Sequence, residues 1–144
     1  MRKTLLALLF GTTLAGVGLA CSNDEPTFEE YYRQFQAIEQ EMEADSIEIV
    51  RLSIPASPDA ENRAALAEIV RTAADDFASL DPVPSLEPAH NAMVQAVFEL
   101  AYAIEAGDEL IWTAAARRQQ DVRCELLTLA ESEGLLDDAS QKGC

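Results

Sequence analysis

The chain has 144 residues, with 26 Asp and Glu against 10 Lys and Arg and a single histidine, for a formal net charge of −16. That length builds one domain of ordinary size and leaves no room for a multidomain catalytic architecture. A surface so poor in cations repels nucleic acid and anionic lipid headgroups, which are held by Lys and Arg, so DNA or RNA binding is excluded.

Residues 1–20 read as a cleaved export signal. Arg2 and Lys3 make a positive start, Leu5–Val17 is apolar, and the small Ala20 precedes Cys21. The apolar stretch falls short of the roughly 20 residues of a membrane span, and Gly11, Gly16 and Gly18 thin it further. Val17-Gly18-Leu19-Ala20-Cys21 resembles the lipobox of bacterial lipoproteins, with Gly18 in place of the usual aliphatic residue. The resemblance implies that the signal is cut before Cys21, that the Cys21 thiol is diacylated, and that the new amino terminus is often acylated too. Two or three acyl chains give stable attachment where one is marginal. Cys21 is then the lipidation site, 21–26 a tether and 27–144 a single helical domain. The protein would sit on the cell membrane or the outer membrane, facing outside the cytoplasm. Loss of Arg2 and Lys3 would take the net charge from −16 to −18.

Beyond the tether, apolar residues recur at helical spacing, and period-two alternation is confined to short pieces near Ile47-Glu48-Ile49 and Leu52-Ser53-Ile54. A first helix fits Thr27 to about Leu52. Thr27 and Glu30 make a capping-box pattern, and Phe28, Tyr31, Phe35, Ile38 and Met42 form one stripe that falters at Ala44-Asp45-Ser46. Pro55 and Pro58 break the chain, with Ser57 or Asp59 placed to cap a second helix lined by Leu66, Ile69, Val70, Ala73, Phe77 and Leu80. The prolines of Asp81–Pro88 bias their predecessors away from the α region and predict a rigid connection. A third helix carries His90, Met93, Val94, Val97, Leu100, Ala101 and Ile104 and closes at Gly107. Asp108 can cap a fourth, in which Ile111, Ala115, Val122, Leu126 and Leu129 share a face down to about Glu133.

Four amphipathic segments on short connections predict an all-α fold, an antiparallel up-down-up-down four-helix bundle. The turn from Leu80 to Pro84, followed by an alanine and His90, resembles that of uncharacterised helical lipoproteins of bacteria, a likeness that supplies no activity. In such a bundle the proline-rich turn and the chain's end lie on the anchored side, and the Pro55–Pro58 and Gly107-Asp108 turns point away. Leu110, Ile111 and Trp112 project in three directions at that far tip, more than one core stripe absorbs. They are the candidate contact for an envelope protein partner, burial under a neighbouring helix end being the alternative. Export to an oxidising compartment favours pairing of Cys124 with Cys144, the alternative being two free thiols.

The residues for most chemistries are missing. Glu87-Pro88-Ala89-His90 matches one E-x-x-H of a di-iron bundle, but the second pair has no histidine. The set is also too small for a structural zinc site and lacks the glycine-bearing loop of a calcium site. No G-x-S-x-G elbow, C-x-x-C pair, phosphate loop or dinucleotide fingerprint occurs. No cofactor or metal is expected, and no enzyme activity. Arg118 falls in phase with Ile111 and Val122 and is expected to reach an internal acid or to extend outward on a buried stem. The functional expectation is a membrane-anchored, non-catalytic interaction or structural module of the cell envelope. The alternative is a small-ligand or metal-binding lipoprotein with a site between helices near His90 and Arg118.

Overall fold

The computed structural model describes residues 26–53, 59–136 and 144. The expected export signal, the expected lipidation site Cys21 and the Ser57 capping candidate lie outside the described residues. Four α-helices follow one another: α1 (Phe28–Ser53), α2 (Ala60–Ala78), α3 (Glu87–Ala106) and α4 (Glu109–Ser132). A single 3-10 turn, Pro84–Leu86, precedes α3, and no strand occurs among the described residues.

The helix ends follow side-chain chemistry. The Thr27 hydroxyl accepts from the Glu30 amide at 3.3 Å, Asp59 from the Asn62 amide at 2.9 Å, and Asp108 from the Leu110 and Ile111 amides at 3.0 and 3.2 Å. Each satisfies amides that have no partner inside the helix. α3 stops where Gly107 turns left-handed at φ 72°. α4 ends in a Schellman arrangement in which the Gly134 amide donates to Glu131 and the Leu135 amide to Ala130. Helix α2 ends at Ala78, so Leu80, expected on its apolar face, lies beyond it and packs half-buried against the core from the connection.

Neighbours run antiparallel. Arg71 of α2 bonds Glu105 of α3, Arg63 sits under Gly107, and Glu99 of α3 meets Arg118 of α4. The centre is built from small residues, among them Ala67, Ala74, Ala96, Ala101 and Ala130, all buried, which let α3 approach α2 and α4 closely. α1 contributes rings instead. Phe35 packs on Phe77 with ring centroids 4.9 Å apart, and Phe28, Tyr31 and Tyr32 continue the stack. Such bulk holds a helix off, and no Cα of α1 comes within 8 Å of one in α3 or α4.

The buried face of α4 differs from the expected one. Leu126, Leu127 and Ala130 are buried, Trp112 and Arg123 are partly so, and Ile111 is exposed. The expected stripe through Ile111, Ala115, Val122, Leu126 and Leu129 holds at Leu126, and Leu129 packs half-buried against the core, but at 100° per residue the centre of the buried face is turned by roughly 80° from it. The 3-10 turn was also not expected. It seals the end of the bundle where α3 begins, with Leu86 fully buried against α3 and α4.

A Cβ at Gly107 would stand 2.8 Å from the Arg63 Nε, whereas one at Gly134 (φ 71°) meets nothing within 4 Å. Both positions carry the left-handed penalty of about 1 kcal/mol. Gly107→Ala should therefore lower the urea midpoint more than Gly134→Ala, and equal losses would show that Arg63 yields freely.

Candidate functional site

His90 enters the bundle one turn into α3, where the proline-rich turn brings the end of α2 against the start of α1. It is buried, and its Nδ1 lies 3.1 Å from the Tyr31 hydroxyl. The two rings meet edge to face at 5.6 Å, an arrangement aromatic quadrupoles favour. Burial holds the imidazole below its ordinary value, opposed by the Glu87 carboxylate. Burial, and then the Glu39 charge, push the Tyr31 phenol above its own. Both groups are thus held neutral, as a hydrogen-bonded pair inside a core requires. One side of His90 borders a surface cleft of about 370 Å³ that also touches Pro26, Asp81, Glu87 and Asn91.

Arg118 belongs elsewhere. It is 62% exposed and pairs with Glu99 across the outside of α3 and α4 at 2.9 Å, so no internal acid meets it. The structure does not bring His90 and Arg118 together: nine residues of α3, about 13 Å of rise, separate His90 from Glu99. The guanidinium that does reach inward is Arg123. Its Nε and Nη2 donate to the two Glu39 oxygens at 2.5 and 3.2 Å, with both side chains largely buried. The Glu39 hydrogen bond raises the Arg123 pKa above its ordinary value despite the burial. This fork-to-fork pair spans α1 and α4 where the backbones stand apart. Sequence reasoning singled out Arg118 and passed over Arg123. The signal for its role was position, since Arg123 lies three and four residues before Leu126 and Leu127.

Cys124 and Cys144 are joined by a disulfide, with Cα atoms 5.4 Å apart, and Arg123 Nη1 donates to the Cys144 sulfur at 3.6 Å. No group of three His, Cys, Asp or Glu side chains among the described residues is arranged to hold a metal ion. No helix among them is long and apolar enough to cross a membrane.

At the opposite end, Leu110 is 82% and Ile111 53% exposed, while Trp112 is half-buried against the core. The structure adds Tyr102, 65% exposed, which sequence reasoning missed. Tyr102 and Ile111 flank a shallow apolar hollow of about 450 Å³ floored by Ala103, Ala106, Ala114 and Ala115. Comparison with protein-family models, curated proteins and solved structures returns no match.

Two consequences can be measured. The His90 pKa is lower folded than in the unfolded chain, so the unfolded chain takes up the proton first as pH falls. Stability from the neutral pair is complete above about 6.5 and declines below it until the folded value is passed. The difference in unfolding free energy between wild type and His90→Gln should shrink between pH 7.5 and 5; a constant difference would count against a neutral buried imidazole. Glu39→Gln should cost about 2 kcal/mol by leaving Arg123 without its charge partner. Glu99→Gln, at the exposed pair, should cost under about 0.5 kcal/mol. Equal effects in a denaturant series would contradict the closing role of Glu39.

Proposed function

We propose that the chain is a lipid-anchored, extracytoplasmic lipoprotein whose helical body serves as a non-catalytic interaction or structural module of the cell envelope. The observation that carries the reading is the contrast between the two ends of the bundle. At one end Pro26 lies beside His90, five residues from the lipobox cysteine, a reach of roughly 17 Å when extended. An anchor on Cys21 would hold this end against the membrane. At the other end Leu110 stands exposed, and Ile111 and Tyr102 stand exposed beside an apolar hollow. Large exposed apolar side chains gathered in one place mark a contact surface more often than a bare one.

The interior supports a module rather than a reaction site. His90 is engaged by Tyr31, Arg123 by Glu39, and the space between the helices is filled by Phe35, Phe77, Met93 and Ile104. A partner recognised through Leu110, Ile111 and Tyr102 would lie away from the lipid, where another envelope protein can reach it.

The reading is tested in two steps. Intact-mass measurement of the envelope-extracted protein should find residues 1–20 removed and fatty acyl groups on Cys21, and Cys21→Ser should stay unprocessed; a retained leader or a bare thiol rejects the anchor. The double change Leu110→Asp and Ile111→Asp should shift stability by no more than about 0.5 kcal/mol, since both side chains are exposed. It should also remove photo-crosslinks formed in envelopes from a probe at position 102, and their persistence would reject this contact surface.

A further inference from the structure

A second surface, on α1 and α2, has a different chemistry. Beyond the Phe35–Phe77 contact, α1 presents Ile38 and Met42 toward α2, which answers with Ile69 and the small side chains Ala65, Thr72 and Ala73. Those small residues cannot fill the space that the ring pair imposes between the helices. A half-open groove of about 350 Å³ remains, mostly apolar on its floor.

Its rims are anionic on both sides. Glu41 and Asp45 stand on the α1 wall, Glu68 and Asp76 on the α2 wall, and no Lys or Arg lines the groove. Glu68 is engaged by Arg71, whereas Glu41, Asp45 and Asp76 make no ion pair among the described residues. An anionic or uncharged apolar occupant would desolvate these carboxylates without return. A cationic one would neutralise them.

The dimensions select a peptide over a whole protein face. The lining residues run from 38 to 45 on α1 and from 65 to 76 on α2, about 10 and 16 Å along the helix axes, the length of two to three helical turns. Apolar floor and charged rims together are the complement of an amphipathic helix laid in a groove with basic residues flanking its apolar stripe. We infer that the α1–α2 groove binds a short cationic amphipathic helix of a partner protein, its apolar stripe on Ile38, Met42 and Ile69 and its Lys or Arg residues on Glu41, Asp45 and Asp76. The groove lies apart from the Leu110 patch and does not depend on the anchor.

The test uses the full-length chain in phosphatidylcholine nanodiscs, with empty nanodiscs as the blank. The probe is a fluorescent, amidated 11-residue peptide with Leu at i, i+3, i+4 and i+7 and Lys at the flanks. Fluorescence anisotropy should show binding that weakens as salt is raised, and a Leu/Glu peptide or a scrambled Leu/Lys peptide should bind at least about tenfold more weakly, a difference of about 1.4 kcal/mol. The triple change Glu41→Gln, Asp45→Asn and Asp76→Asn, and separately Thr72→Trp, which fills the groove from an exposed position, should each weaken binding by about tenfold or more. Circular dichroism checks that each variant is folded, and Ala65→Trp replaces Thr72→Trp if that variant is not. Absence of binding, equal binding of either control peptide, or retained binding in either folded variant overturns the inference.

Discussion

The bundle is closed by side chains where its backbones do not meet. α3 packs on α2 and on α4 through buried alanines, while α1, carrying Tyr31 and Phe35 into the core, packs on α2 and stands too far out for backbone proximity to α3 or α4. Reaching across are a fork of hydrogen bonds from Arg123 to Glu39 and a hydrogen bond between Tyr31 and His90. Ionic and neutral pairing thus do for α1 what small residues do for the other three helices. The ionic pair is the costlier to break from one side, because either partner alone would be left charged with little access to water.

That division of labour explains where the surface features fall. Where α3 ends and α4 begins, small side chains leave a shallow hollow. The looser α1–α2 contact leaves a groove, because rings fix the spacing at one end and small side chains decline to fill it at the other. Anionic rims there and apolar exposure at the tip give the molecule two unlike faces. Its one histidine is spent on packing the end where α1 and α3 begin.

Much of this was legible in the sequence where local chemistry decides the outcome. Thr27, Asp59, Asp108 and Gly107 mark helix ends because an unpaired amide or a left-handed turn calls for those residue types. The stripes of α1 and α3 are read directly from apolar spacing. α4 was misread because its buried face carries Gln119 and Arg123, polar residues that look out of place until Glu39, 84 positions away in the chain, supplies the partner. The run Ile111, Ala115, Val122, Leu126 and Leu129 is more apolar on paper, but it enters the core at Leu126 and leaves Ile111 exposed. The same error promoted Arg118 over Arg123 as the inward cation. Tyr102 went unnoticed because a lone aromatic on an alanine-rich helix does not reveal from spacing which side it takes. The 3-10 turn depends on Leu86 finding a seat between α3 and α4, a long-range event that proline statistics do not encode.

Arg123 touches both Glu39 and the sulfur of Cys144, so a covalent staple and an electrostatic latch share one guanidinium. Changes at Glu39 and at Cys144 are therefore energetically coupled despite their distance in sequence, and the loss from altering both departs from the simple sum. The redox state of the staple thereby reaches the seating of the first helix through a single side chain.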